Sequence, residues 1–201
     1  SKVFCWVACD RGARLALLRE DFERAMSWRA SADEIKADVL AHGLDARGVF
    51  VAHYDTESLD ASLLLLPLMR FLPPDDERIR ATVFAIADEL TEGGLVLRYR
   101  TEETDDGLEG HEGAFLICSF WLVSALVEIG ESDRARALCE RLLGYASPLG
   151  LYAEEIDPAT GRHLGNFPQA FTHLALINAI LHVIGAEEQT AAAPSPWSSW
   201  G

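Results

Sequence analysis

Seven helix-forming stretches follow one another along this chain, and they alternate in kind. Apolar spacing predicts helices at 2–19, 22–42, 59–70, 76–91, 113–130, 132–146 and 168–184. The first, third, fifth and seventh are apolar on most faces. In the fifth, Phe115, Leu116, Ile117, Phe120, Trp121, Leu122 and Val123 leave no polar side. The second, fourth and sixth are amphipathic. Ile79, Val83, Ile86 and Leu90 form one stripe of the fourth, and the sixth sets Ala135, Leu138 and Leu142 opposite Arg134, Arg136 and Arg141. A helix with no wet side lies inside, and a helix with one apolar stripe covers it. Strict alternation of the two therefore predicts an all-α fold of two concentric rings. The hairpins recur at about fifty residues, a period that builds closed or stacked arrays. Three and a half hairpins make roughly half of an (α/α)6 toroid. Gly43 is the expected C-cap of the second helix, and Pro168 is expected in the first turn of the seventh.

The connections alternate as well. Inner-to-outer links at 71–75 and 130–131 are short, whereas the links at 44–58, 91–112 and 147–167 are long. Long loops in a compact domain are usually functional. In a toroid all three emerge at one end, and they carry Tyr54, Arg98, Tyr99, His111, Glu112, Glu154, Glu155 and Asp157. Thr-Glu-Gly-Gly at 91–94 and Asp-Asp-Gly at 105–107 are turn signals, and strand-like pieces at 49–54 and 95–99 are expected to pair locally. The ordered domain is assigned to 1–186, with an Ala-, Pro- and Ser-rich flexible tail at 187–201.

At 201 residues and 49% apolar content the chain is long enough for one sizeable core and too apolar for disorder. Its net charge of −15 removes the basic footprint that nucleic-acid binding requires, so no nucleic-acid partner is expected. Cys5, Cys9, Cys118 and Cys139 fall in apolar helical stretches, the pattern of reduced, buried thiols and hence of a cytoplasmic protein. Cys5 and Cys9 stand at i,i+4, but no Cys or His at ligand spacing joins them, so no metal and no organic cofactor is assigned. No apolar run reads as long enough to span a bilayer, and no membrane partner is expected. The chain opens inside an apolar segment (Val3, Phe4, Trp6, Val7), which reads as a truncation.

An acidic, aromatic pocket at the toroid axis suits a sugar, and cleaving a glycosidic bond requires two carboxyl groups in distinct roles. Three collinear segments make this specific: LYAEEIDPATGRHLGNFPQAFTHLALINA at 151–179, LRYRTEETDDGLEGHEGAFLICSFWLV at 97–123, and SKVFCWVACDRGARLA at 1–16, supported by LDASLLLLP at 59–67. Together they resemble glycoside hydrolase family 15, the glucoamylase and microbial trehalase family, over nearly the whole chain. The resemblance implies the (α/α)6 barrel and an exo-acting hydrolysis of α-glucosidic bonds that inverts the anomeric centre. In such a reaction a base activates water while an acid, about 6.5–9.5 Å away, protonates the leaving oxygen.

By position in the motif the resemblance makes Glu154 the base, with Glu155 its neighbour and runner-up; successive residues point different ways, so one of the two faces the water. It makes Arg98, in the Arg98–Tyr99 pair, a ligand of substrate hydroxyls. His111 and Glu112 fall in the loop lining the terminal sugar, and Phe171 takes an aromatic position near the base. The family's acid lies in a Trp-Glu segment upstream of the region matching Ser1, and no Trp-Glu pair occurs here. The chain is therefore expected to be inactive alone and to pair with a missing N-terminal half or with itself. The alternative is a non-catalytic half-barrel scaffold or sugar-binding fragment. Simpler roles stand beside these: Arg98 paired with Glu102, Glu103 or Asp105, His111 as a surface residue, His173 and His182 as satisfied core histidines, Trp121 as core packing, and Asp60 as a helix cap.

Overall fold

The structure, a computed structural model, describes residues 1–100 and 113–192. Helices dominate. α1 (Lys2–Leu18) and α2 (Phe22–His42) form a hairpin. Small residues let them approach: Ala13 and Ala16 on α1 and Ala25 and Ala32 on α2 are buried. At Gly12 even a Cβ would stand 2.6 Å from the Trp28 ring. Asp21 starts α2 by accepting from the Arg24 N–H at 3.1 Å.

The third element, the second of the inner ones, is shorter than 59–70. It is a 3-10 turn, Ala61–Leu64, followed by the single helical turn α3 (Leu65–Leu68). Pro67 donates no backbone hydrogen bond, and Arg70 ends the element at φ 60°. Asp60 caps it, accepting from the Ser62 N–H at 2.7 Å. α4 (Glu77–Glu89) buries Ile79, Thr82, Val83 and Ile86, the predicted stripe with one threonine added. α5 (Leu116–Glu128) buries residues on every side and forms the centre of the core. α6 (Ser132–Leu143) buries Ala135, Cys139 and Leu142. α7 (Ala170–Ala192) runs beyond its expected end and begins two residues after Pro168, which follows a cis peptide bond.

The 3-10 turn with α3, then α5, then α7 stand side by side as the inner layer. α4 packs outside on the 3-10 turn and α5, and α6 packs outside on α5 and α7. The α1–α2 hairpin joins through Trp6, set edge-on to Phe71 at 5.1 Å, and through Phe50 on the same ring at 6.0 Å. This is the inner–outer alternation of roughly half an (α/α)6 toroid. The strand content is small. The expected piece at 49–54 reduces to one bridge, Leu44 to Phe50. β1 (Thr91–Glu92) and β2 (Leu95–Val96) make the expected local hairpin. β3 (Ala114–Phe115), β4 (Glu155–Ile156) and β5 (His163–Leu164) form an antiparallel sheet in that order.

Both edges of the half-ring are apolar and open. On α7, Phe171, Leu174, Ile177, Leu181 and Ile184 recur on one face and are 45–67% exposed. At the other edge Leu15, Leu18, Phe22 and Met26 are exposed. Cys5 is exposed too, against the expectation of a buried thiol, because that side of α1 has no neighbour among the described residues. The reading that no run could span a bilayer also needs correction. By length and composition Ala170–Ala191 would suffice, because its two histidines carry no formal charge and its glutamates lie at its end. Its other face packs on α5 and α6 as a wall of the ring.

Candidate active site

Glu154 immediately precedes β4, where several elements are stitched together. The Leu116 N–H donates to the Glu154 carbonyl at 3.1 Å, which ties this strand to the first residue of α5. Thr172 donates its hydroxyl to the Ala153 carbonyl at 3.0 Å, and the Gln169 N–H donates to Tyr152 O at 3.0 Å, tying it to α7. Tyr152 is buried, edge-on to Phe120 at 5.8 Å and to His173 at 5.7 Å. His173 accepts the Tyr152 N–H at Nε2 (3.3 Å), so its Nδ1–H donates to Gln169 O at 2.7 Å. It is the satisfied histidine expected. His182 is not: its buried Nδ1 has no partner among the described residues.

The two adjacent carboxylates part company. Glu155 pairs across the sheet with Phe115 and Leu164, and its Oε2 accepts the Gly113 N–H at 2.9 Å. Glu154 instead lines a cavity of about 290 Å3. Its Oε2 accepts from both the backbone N–H (3.1 Å) and the side-chain amide (2.9 Å) of Asn166. Arg98, Asp60, Gln169 and Thr172 share that cavity, with Phe115, Trp121 and Phe171 as aromatic walls. The Arg98 carbonyl is fixed by the Ala61 N–H at 2.8 Å, and its guanidinium lies 5.3 Å from the centre of the Tyr99 ring. Cys118 is a wall rather than a nucleophile: burial pushes its thiol up to about 12, and Asp60 adds to the rise.

The structure thus brings together Glu154, Arg98 and Phe171 of the sequence-assigned residues. Tyr99 stands behind Arg98 and outside the cavity lining, and Glu155 faces the sheet. His111 and Glu112 lie outside the described residues. Sequence reasoning missed Asn166 and Gln169 altogether; Trp121, read as core packing, does pack against the core and also lines the cavity. The motif string 151–179 already contained Asn166 and Gln169 along with Glu154, which was the available signal. Asp60 is both the expected cap and a cavity residue. Tyr54 sits elsewhere, donating to Asp38 at 2.7 Å beside a second cavity of about 340 Å3. That cavity is larger, but its walls are mostly apolar and hold no converging carboxylate and guanidinium. Asp157 closes a turn through the Ala159 N–H and the Thr160 hydroxyl. Among the described residues no group of three His, Cys, Asp or Glu is placed to hold a metal.

The family model of glycosyl hydrolases family 15 matches residues 1–181. The chain belongs to that family. It is 72% identical over 189 residues to a trehalase of Mycobacterium tuberculosis, and 43% identical over 179 residues to a trehalase of Thermoplasma acidophilum. It covers 94% and 88% of itself in these matches but only 28% and 30% of the relatives. A bacterial glucoamylase solved in complex with acarbose superposes with a TM-score of 0.72 at 15% identity, over 90% of this chain and 32% of that one. A wild-type glycosidase superposes with a TM-score of 0.66 at 21% identity, over 81% and 45%. At these identities the solved structures speak for the fold: the family 15 chain has about half of such a toroid, with Glu154 at the loop-rich mouth.

Proposed function

We propose that this chain supplies the general-base side of an inverting, exo-acting α-glucosidase that hydrolyses trehalose. The observation that carries the reading is the state of the Glu154 carboxylate. Glu154 lines the cavity it shares with Arg98; its Oε2 is held by Asn166, whereas Oε1 has no hydrogen-bond partner among the described residues. An ionised carboxylate with one free oxygen suits proton removal from a water. In the proposed step that water attacks the anomeric carbon of the bound glucosyl unit. The bond from carbon to the water oxygen forms as the glycosidic bond breaks. Glu154 takes one proton of the water, and an acid outside this chain donates one to the departing oxygen. From trehalose this yields one β- and one α-glucose. Arg98 and Asp60 are placed to bind hydroxyls, with Trp121 and Phe171 against the sugar faces. The preference for trehalose over maltooligosaccharides rests on the name of relatives at up to 72% identity. The partner is the remainder of a protein of the relatives' length, or a second copy, docked on the exposed face of α7 and the open edge of the α1–α2 hairpin. The free cysteines fit a cytoplasmic setting.

The test uses a full-length protein carrying this chain, with trehalose and maltotriose side by side. Wild type is expected to release glucose from trehalose as equal α and β anomers, read by NMR. Glu154→Gln keeps the shape and removes the charge, and should lower kcat by about 10²–10⁴-fold, the contribution of a general base. An unaffected Glu154→Gln variant, or a protein inert on both sugars, would leave only the scaffold reading.

A further inference from the structure

We infer that Asn166 is a positioning residue that fixes the plane of the Glu154 carboxylate. A glutamate's terminal torsion is broad and two-fold, so a lone carboxylate presents either oxygen over a wide arc. Here three hydrogen bonds join the two residues. The Glu154 N–H donates to the Asn166 carbonyl at 2.9 Å, and the Asn166 N–H and side-chain amide both donate to Oε2, at 3.1 and 2.9 Å. Two donors on one oxygen fix both the torsion and which oxygen is left for the cavity.

The backbone is built for this. β4 and β5 are in register at Glu155–Leu164. Gly165, at φ 70°, then inserts one extra residue into the returning strand, so that Asn166 rather than Gly165 bonds Glu154. A side chain at 165 would strain this left-handed backbone and displace the carboxylate: its Cβ would lie 2.9 Å from Glu154 Oε2 and 3.0 Å from Glu154 Cβ. The glycine therefore admits the carboxylate and the asparagine holds it.

This inference rests on Glu154 being the base, so its test keeps the two apart. In a full-length protein carrying this chain, Asn166→Ala should lower kcat on trehalose by about tenfold with KM changed less than twofold, the effect of a misaimed group rather than a lost one. Asn166→Asp is nearly isosteric and sets a second carboxyl against Oε2. Two carboxylates at that distance do not both ionise, so the acid limb of the kcat–pH profile should move up by about one unit or more. A merely structural role would not move that limb. If Glu154→Gln is inactive while Asn166→Ala turns over like wild type, the inference is wrong and the base reading stands. A rise in KM alone would make Asn166 a sugar ligand instead. A fall in melting temperature with the Asn166→Asp limb unmoved would make it a fold anchor. Full activity of Glu154→Gln would remove the base reading itself.

Discussion

Asp10 is buried to 1% exposure at the α1–α2 hairpin, with three arginines around it. Its Oδ1 accepts from Arg29 at 2.7 Å, and Arg11 and Arg14 reach Oδ2, the latter at 3.1 Å. Burial alone would push this carboxyl up. The Arg29 hydrogen bond and the charges of Arg14, Arg29 and Arg11 overcome that and hold it below its ordinary value. Asp10→Asn keeps the shape, removes the charge and leaves three guanidiniums facing one another. Removing one partner of a fully buried pair costs about 3–5 kcal/mol. Here the arginine side chains are 39%, 60% and 42% exposed and can turn to water, which brings the expected loss to about 2 kcal/mol. With a urea slope of about 2 kcal/mol/M, the midpoint should fall by about 1 M at pH 7, followed by tryptophan fluorescence. A folded-state value below the unfolded one means the contribution is present above about pH 4 and lost as pH falls through the folded value. The gap between wild type and variant should therefore be the same at pH 7 and pH 5 and shrink below about pH 4. Equal midpoints at pH 7, or a gap independent of pH, would refute the reasoning.

Ser119→Ala removes the acceptor of the buried Val96 N–H, which donates to Ser119 Oγ at 2.9 Å, and should lower stability by about 1–3 kcal/mol in the same urea assay. Leu174→Glu with Ile177→Glu charges the open face of α7. Because both residues are exposed, the stability of the chain itself should change by about 0.5 kcal/mol or less. Self-association of the isolated chain by light scattering, and glucose release by a full-length protein, should both fall; a wild-type chain that is monomeric at high concentration would count against the docking role of that face.

The rings were legible because burial on all sides leaves a compositional trace: α5 has no polar face, and α6 displays its arginines on one side. Glu154 came to notice through its motif, and successive side chains along this extended segment do turn different ways, Glu154 to the cavity and Glu155 to the Gly113 amide. What escaped was what only long-range geometry decides. Asn166, twelve positions from Glu154, meets it only because of the extra residue at Gly165. Nothing local marks Asp10, since its arginines converge from two helices. The third helix was overdrawn because leucine spacing outweighed the proline within it. The openness of Cys5, Leu18 and Phe22 depends on what lies beside the hairpin, which no property of those residues encodes.

The bond from the Leu116 amide to the Glu154 carbonyl has a consequence for how the site breathes. By sequence Glu154 lies in a loop, the part of a protein expected to open first. Yet its peptide group is fastened to the head of α5, the helix enclosed on every side. Local fluctuations that open a surface loop therefore stop short of residues 152–154; freeing them means disrupting α5, which lies at the level of whole-domain unfolding. The Leu116 amide, the donor of that bond, should accordingly exchange its hydrogen on the timescale of the core.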